Sequence, residues 1–374
     1  MGLISPVPSR LDPLYGAIAS SMIDKQAQEP REITEWLTKV YKLCDDPRQV
    51  NWNARRQIDS RFYQETVLPS LAIFLERFTG EITDNEGDMN ALIGLSGGLD
   101  STVAAYIVGN AMQSSIISGR RRKASLTLLN LVGLEDNDTK TIASDLQKKH
   151  GAVRVIYLEA DISKIRRNFV KTTAKLVRKL GEEALEFPGE LTTKIICGIV
   201  NEVGARSGHA SIDPTNGTEY ILGEFTVGLG YDISILSDLY KSSVFELGRI
   251  LQVPPFVLEA PPRNSAYGTR TKPELYFGKV PEGVTSKQVF EVLDPVIYWL
   301  HERNKTPQEI SAALGHDEGF VQGVKRRIDN QRLRRITPHF CIESHRIEFP
   351  NTTPLPEDEA KKQIEKTMLA EAFR

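Results

Sequence analysis

Ala91-Leu92-Ile93-Gly94-Leu95-Ser96-Gly97-Gly98-Leu99-Asp100-Ser101-Thr102 is the stretch that decides the fold. A short apolar run ends at a glycine-rich turn, and Ser101 to Val108 then reads as the start of a helix. The run lacks polar alternation, as a strand buried on both faces of a parallel sheet does. Glycines let a backbone approach an anion closely, and a helix N-terminus adds unpaired N–H groups and the positive end of its dipole. The turn therefore suits phosphate, with hydroxyls from Ser96, Ser101 and Thr102. Asp100 is the odd member. A carboxylate beside phosphates repels them unless a cation lies between, so Asp100 points to bound Mg2+. The loop has neither the Gly-x-Gly-x-x-Gly spacing of dinucleotide sites nor the Gly-Lys-Ser/Thr of common NTPases.

Outward from this unit, the pattern of strand followed by helix recurs. Ser125 to Leu131 reads as a strand and Asp138 to Lys149 as a helix. Val153 to Leu158 is a third strand, followed by a helical region to Leu180, and Tyr220 to Gly223 is a short apolar run read as a further strand. Such alternation predicts an α/β protein with a doubly wound parallel sheet of five or more strands, helices on both faces and the phosphate turn at the strand ends. Ile33 to Leu43 and Asn53 to Phe78 show helical spacing of apolar residues. Gln252 to Thr285 is rich in proline and glycine and is expected to be a lid. Thr306-Pro307-Gln308-Glu309 is a capping-box start for a helix ending at Gly315, with another helix from about Glu318 to Arg332.

Composition removes several function classes. The 374 residues are 40% hydrophobic and 26% charged, with a net charge of -2, so no global field recruits nucleic acid. Cys44, Cys197 and Cys341 are far apart, which suits a reducing cytoplasm, and the six histidines show no metal-ligand spacing. Neither a secretory signal nor an apolar run of about 18 residues is seen, so no membrane association is expected. Arg120-Arg121-Arg122-Lys123 reads first as a solvated loop, with a patch for nucleic acid or a partner subunit as its rival. No RNA-binding module accompanies it.

The phosphate turn resembles the SGG-x-DS signature of the PP-loop ATP pyrophosphatases, which cleave ATP between its α and β phosphates. A second region is similar to NAD synthases: Asn216-Gly217-Thr218-Glu219, Gly223, Phe225-Thr226, Asp232 and Asp238-Leu239-Tyr240-Lys241. Val253-Pro254, Pro261-Pro262 and the stretch from Glu318 to Pro338 fit the same family, and Asp138 and Ala143 fall where its second nucleotide-contacting helix begins. The resemblance implies an adenine nucleotide alpha hydrolase-like fold with helical extensions at both termini. It divides the chain into an N-terminal helical extension (1–52), an NAD synthase-like ATP pyrophosphatase domain (53–338) and a C-terminal tail (339–374).

Carried over residue by residue, the resemblance implies that Ser96, Gly97, Gly98, Leu99, Asp100, Ser101 and Thr102 bind ATP, with Thr218 and Lys241 beside them. It implies that Glu219 is a Mg2+ ligand together with Asp100. Lys241 would neutralise charge as the α–β bond breaks, and Asp232 would serve the acyl substrate or ammonia; Asp100, Lys241 and Asp232 form the catalytic set. The implied reaction amidates nicotinic acid adenine dinucleotide to NAD with ammonia, through an acyl-adenylate. A homodimer is implied too. No glutaminase domain is evident, so free ammonia or a separate glutaminase supplies nitrogen. The chain departs from the family on the acceptor side, at Val227-Gly228-Leu229-Gly230-Tyr231 and at Gly189 to Lys194. A relative that adenylates a different carboxylate therefore stays open, as does a non-catalytic ATP-binding protein.

Overall fold

The apolar run before the glycine turn forms β1 (Asp88–Gly94), the middle strand of a five-stranded parallel sheet. The computed structural model describes residues 60–83, 88–132, 138–179, 188–225, 230–260, 285–330, 339–341 and 346–348. Helix α1 (Leu68–Thr83) continues from a π-helical turn, Tyr63–Val67. After β1 come α2 (Leu99–Ile117), β2 (Lys123–Val132), α3 (Thr139–Lys149), β3 (Arg154–Asp161) and α4 (Ser163–Lys179). The chain then forms α5 (Pro188–Ser207), β4 (Ala210–Asp213), α6 (Gly217–Ile221) and β5 (Ile233–Ser234). It continues through α7 (Lys241–Ile250), α8 (Pro255–Leu258), α9 (Ser286–His301), α10 (Pro307–Leu314) and α11 (Glu318–Asn330).

The sheet order is β3-β2-β1-β4-β5. The chain winds outward from β1 to β3, then returns to the other side of β1 for β4. Loops leaving β1 and β4 therefore diverge, and a crevice opens at that reversal, where open α/β sheets bind ligands. Alternation along β1 feeds two cores: Ala91 and Ile93 pack in the larger one and Leu92 in the smaller. This is why the run is continuously apolar. The smaller core packs Ile195 and Val200 of α5 against Leu129 and Leu131. Helix α4 buries no residue, and Ile165, Phe169, Val170 and Leu176 on it are exposed.

Several expectations hold. The doubly wound parallel sheet is present, and α10 begins with the Thr306–Glu309 capping box and ends at Gly315 in the left-handed conformation. One is corrected: the apolar run Tyr220 to Gly223 is no strand. It falls on α6 and its exit, because Asn216 caps a helix there, and the strand is the four-residue β4 upstream. A short apolar run cannot be assigned by periodicity alone. The basic run is partly used internally: Arg120 pairs with Glu76 at 2.7 Å, and Arg121 donates to the Glu76 carbonyl at 2.7 Å. Segment 1–52, the helix at 33–43, residues 261–284 of the segment Gln252 to Thr285 expected to be a lid, and most of the tail lie outside the described residues; the start of that segment holds α8. Within the tail, His339–Cys341 and Arg346–Glu348 pair as antiparallel strands β6 and β7.

Candidate active site

The turn after β1 is held open by its own hydroxyls. Gly97 has φ +77°, a left-handed conformation that a side chain would strain. Ser96 Oγ lies 3.0 Å from Ser101 Oγ and accepts from the Gly98 N–H at 3.2 Å. Ser101 Oγ in turn accepts from the Ser96 N–H and contacts the Gly98 carbonyl, each at 3.2 Å. Ser96 and Gly98 are exposed, whereas Leu99, Ser101 and Thr102 are buried. Gly98, the N-cap of α2, makes no side-chain cap, so the first turn of that helix has no local acceptor from its cap residue. The Thr102 hydroxyl is buried without a hydrogen-bond partner, set back from the exposed part of the turn.

On the far side of the crevice, Asn216 organises the loop after β4. Its Oδ1 accepts from the Glu219 N–H at 3.0 Å, capping α6, a contact type that contributes about 1 kcal/mol. Its Nδ2 donates to Asp100 Oδ1 at 3.1 Å, so one buried amide joins the two loops of the crevice. Gly217 permits the next approach: a Cβ there would lie 2.8 Å from the Ser237 carbonyl oxygen and 3.0 Å from that of Leu239. The Gly217 N–H donates to the Leu239 oxygen at 2.8 Å. That contact brings the segment leading into α7, and with it Lys241, against α6.

Lys241 is the meeting point. Its ammonium pairs with Asp100 Oδ2 and lies 3.6 Å from Glu219 Oε1. The three side chains are 9%, 18% and 15% exposed, so they are largely shielded from solvent yet still reach it. Phe290 lies beneath the ammonium, 5.7 Å from ring centre to nitrogen. Asp213, at the end of β4, adds a further acid. Burial raises its pKa, with the Glu219 charge contributing, against the lowering effect of the Thr215 N–H and hydroxyl. Two carboxylates facing one cation are suited to Mg2+, which binds through one or two carboxylates and completes its shell with water and substrate phosphates. Among the described residues no three His, Cys, Asp or Glu side chains converge on an ion position.

Of the residues singled out from sequence, Asp100, Glu219 and Lys241 converge, and the turn from Ser96 to Ser101 lies beside them. Thr218 is fully buried: its hydroxyl donates to Asp294 at 2.7 Å and accepts from the Lys241 N–H at 2.9 Å. Asp232 stands at the β4–β5 junction, where Oδ2 accepts from the Ser211 N–H and hydroxyl, both at 2.8 Å. Sequence reasoning did not single out Asp213 or Asp294. It quoted Asn216 only as part of a pattern, and a side-chain amide before Gly-Thr-Glu was itself a cap signal. Arg327 of α11 donates to the Leu222 carbonyl at 3.0 Å and steadies the exit of α6.

Among the described residues, the end of the stretch that departs from the family rests on α5 through uncharged contacts. Tyr231 places its hydroxyl 3.1 Å from Cys197 Sγ on α5, and Asn201 donates to the Gly230 carbonyl at 2.6 Å. Residues 226–229 lie outside the described residues.

Comparison with known proteins places this geometry in context. The family profile described as NAD synthase matches residues 74–338. The NH(3)-dependent NAD(+) synthetase of Sulfolobus acidocaldarius is 24% identical over 273 residues, covering 72% of this chain and 88% of that protein. The enzyme of the same name from Helicobacter pylori is 25% identical over 72% of this chain and 94% of its own length. Among solved structures, NMN synthetase from Francisella tularensis aligns with 75% of this chain and 97% of its own, at 20% identity and a TM-score of 0.49.

Proposed function

The chain belongs to the NAD synthase family, and from that premise we propose that it converts nicotinic acid adenine dinucleotide to NAD with ammonia and ATP. The carboxylate first takes AMP from ATP, giving an acyl-adenylate and pyrophosphate. Ammonia then attacks the acyl carbon, and AMP leaves as the amide forms. The observation that carries this reading is the Lys241 ammonium, shared between Asp100 and Glu219 beside an exposed phosphate-type turn. Adenylation needs this kind of charge arrangement: cations against the polyphosphate and a fixed geometry for in-line attack.

In this reading the turn from Ser96 to Ser101 holds the pyrophosphate portion of ATP, with Leu99 and Thr102 fixing the helix behind it. Asp100 and Glu219 would hold Mg2+, which supplies charge neutralisation on the phosphates. Lys241 leaves its carboxylate partners to face the phosphate oxygens as the α–β bond breaks. Thr218 fixes the Lys241 backbone from behind. Asp232, which directly precedes β5, serves the acceptor side. Nitrogen comes as free ammonia or from a separate glutaminase, in a cytoplasmic setting. A homodimer is part of the proposal; the exposed apolar side chains of α4 support it, since such faces are commonly covered by a second surface. Neither nucleic acid nor membrane belongs to it. Among the described residues no helix is long and apolar enough to cross a membrane.

A second reading rests on the acceptor side. The stretch from Val227 to Tyr231 departs from the family, and its end is pinned to α5 by Cys197 and Asn201. A different carboxylate would then be adenylated by the same ATP machinery. The deciding experiment measures pyrophosphate release from Mg-ATP and ammonium, with and without nicotinic acid adenine dinucleotide, while NAD is followed by mass. Release matched by NAD supports the first reading. ATP binding without release stimulated by that dinucleotide overturns it and favours the second.

A further inference from the structure

Helix α7 carries Lys241 at its first position, yet its cap residue, Tyr240, makes no side-chain cap. The first N–H groups of a helix need acceptors, and here they come from other parts of the chain. The Lys241 N–H donates to Thr218 Oγ1 of α6 at 2.9 Å. The Ser242 N–H donates to Asp294 Oδ2 of α9 at 2.7 Å. Asp294 Oδ1 accepts from the Thr218 hydroxyl at 2.7 Å, closing the set. Asp294 is 0% exposed. A fully buried carboxylate is a costly helix cap, and a serine or asparagine at position 240 would satisfy the same helix locally.

What the distant carboxylate does, and a local cap cannot, is tie three elements together. Helix α6 carries Glu219 one residue after Thr218, and α7 carries Lys241 one residue before Ser242. Asp294 holds both neighbours through its two oxygens, so it fixes the spacing between the Glu219 carboxylate and the Lys241 ammonium. We infer that Asp294 is a positioning residue for the adenylation step: it touches no substrate, and through Thr218 and the α7 N-terminus it sets where Lys241 meets the phosphates. Misplacement of a reacting group by about 1 Å lowers rates by roughly a hundredfold, so the contribution is to kcat. The inference rests on the function proposed above.

The test uses Asp294→Asn in the full chain, with pyrophosphate release assayed against ATP concentration. An amide keeps the volume but offers one oxygen where two donors converge. The expected result is a kcat per folded molecule lower by roughly tenfold or more, with the KM for ATP within about threefold of wild type. Thr218→Val and Thr218→Ser form a second pair that decides the matter should Asp294→Asn fail to fold. The valine variant should lose kcat in the same way, and serine, which keeps the hydroxyl, should restore it. A lowered melting temperature with unchanged kcat per folded molecule, or a loss confined to ATP affinity, overturns the inference. Asp100→Ala run in parallel separates the two claims: if it releases pyrophosphate normally, the site assignment itself fails, whatever Asp294 does.

Discussion

The two sides of the crevice are built on different principles. On the side we assign to phosphate, charged groups from the starts of α2, α6 and α7 are drawn together: Asp100, Glu219 and Lys241 form one cluster, and Asn216 ties two of their loops. On the side we propose for the acceptor, Asp232 is held by a neighbouring serine, and Tyr231 and Gly230 rest on α5 through uncharged contacts. In the proposed reaction adenylation is common to any carboxylate substrate, and the charges assigned to it are held by several elements at once. Recognition of the acceptor is particular, and among the described residues the side proposed for it is tied to α5 by the Tyr231–Cys197 and Asn201–Gly230 contacts. The difference explains how this chain can keep the phosphate turn intact while its Val227–Tyr231 stretch departs from the family.

The sharpest way to break this contrast is at the carboxylates. Asp100→Ala and Glu219→Ala should each abolish Mg2+-dependent pyrophosphate release, and normal release by both would end the assignment of the phosphate side. Lys241→Ala should follow, with kcat reduced by roughly a hundredfold to a thousandfold, the range for losing one preorganised electrostatic donor. Stopped-flow measurement of the adenylation burst would check it; a defect seen only in ammonia attack would move Lys241 to the other side of the crevice.

Next comes Asp294, whose burial pushes its carboxyl up to about 6, against the opposing bonds from Ser242 and Thr218. Between about pH 4 and 6 the folded chain retains a proton that the unfolded chain has released. This contribution to stability is therefore present below that window and lost as pH rises through it, with a flat dependence above. Asparagine does not titrate, so the stability of wild type relative to Asp294→Asn should fall by about 3 kcal/mol across the window. Urea unfolding of both proteins at several pH values reads this directly, and parallel curves would rule it out. The smallest effect is expected on the acceptor side: Asp232→Asn should raise the KM for the carboxylate substrate by about tenfold and leave ATP binding unchanged. Isothermal titration with each ligand separates the two, and an equal loss for ATP would erase the contrast between the sides.

How much of this was legible in the sequence follows the same division. The phosphate turn announces itself because its chemistry is local: strand, glycines, hydroxyls and helix occur in one run of residues. The central strand is legible for the same reason, being buried on both faces. Glu219 and Lys241 came from resemblance to a family, since a lone glutamate or lysine carries no signal of its partners. Asp294 was invisible: an acid in the middle of a helix, just before Pro295, looks like a solvated residue until the fold buries it. Strand β4 was missed because four residues with a serine and an aspartate offer little periodicity, and the more apolar Tyr220–Gly223 drew the assignment instead. Helix α9 combines a capping box with an internal proline, so its two local signals oppose each other.

The lysine–aspartate pair at the centre of the crevice joins positions 141 apart in the chain, and the Thr218–Asp294 bond spans 76. During synthesis the phosphate turn emerges early, but its counter-charges arrive only with α6 and α7, and the clamp on them only with α9. A nascent or truncated chain that has made the turn thus lacks the means to use it. If the proposed assignment holds, ATP turnover waits until nearly the whole body of the protein has been made and docked, and a partly made copy leaves the nucleotide intact.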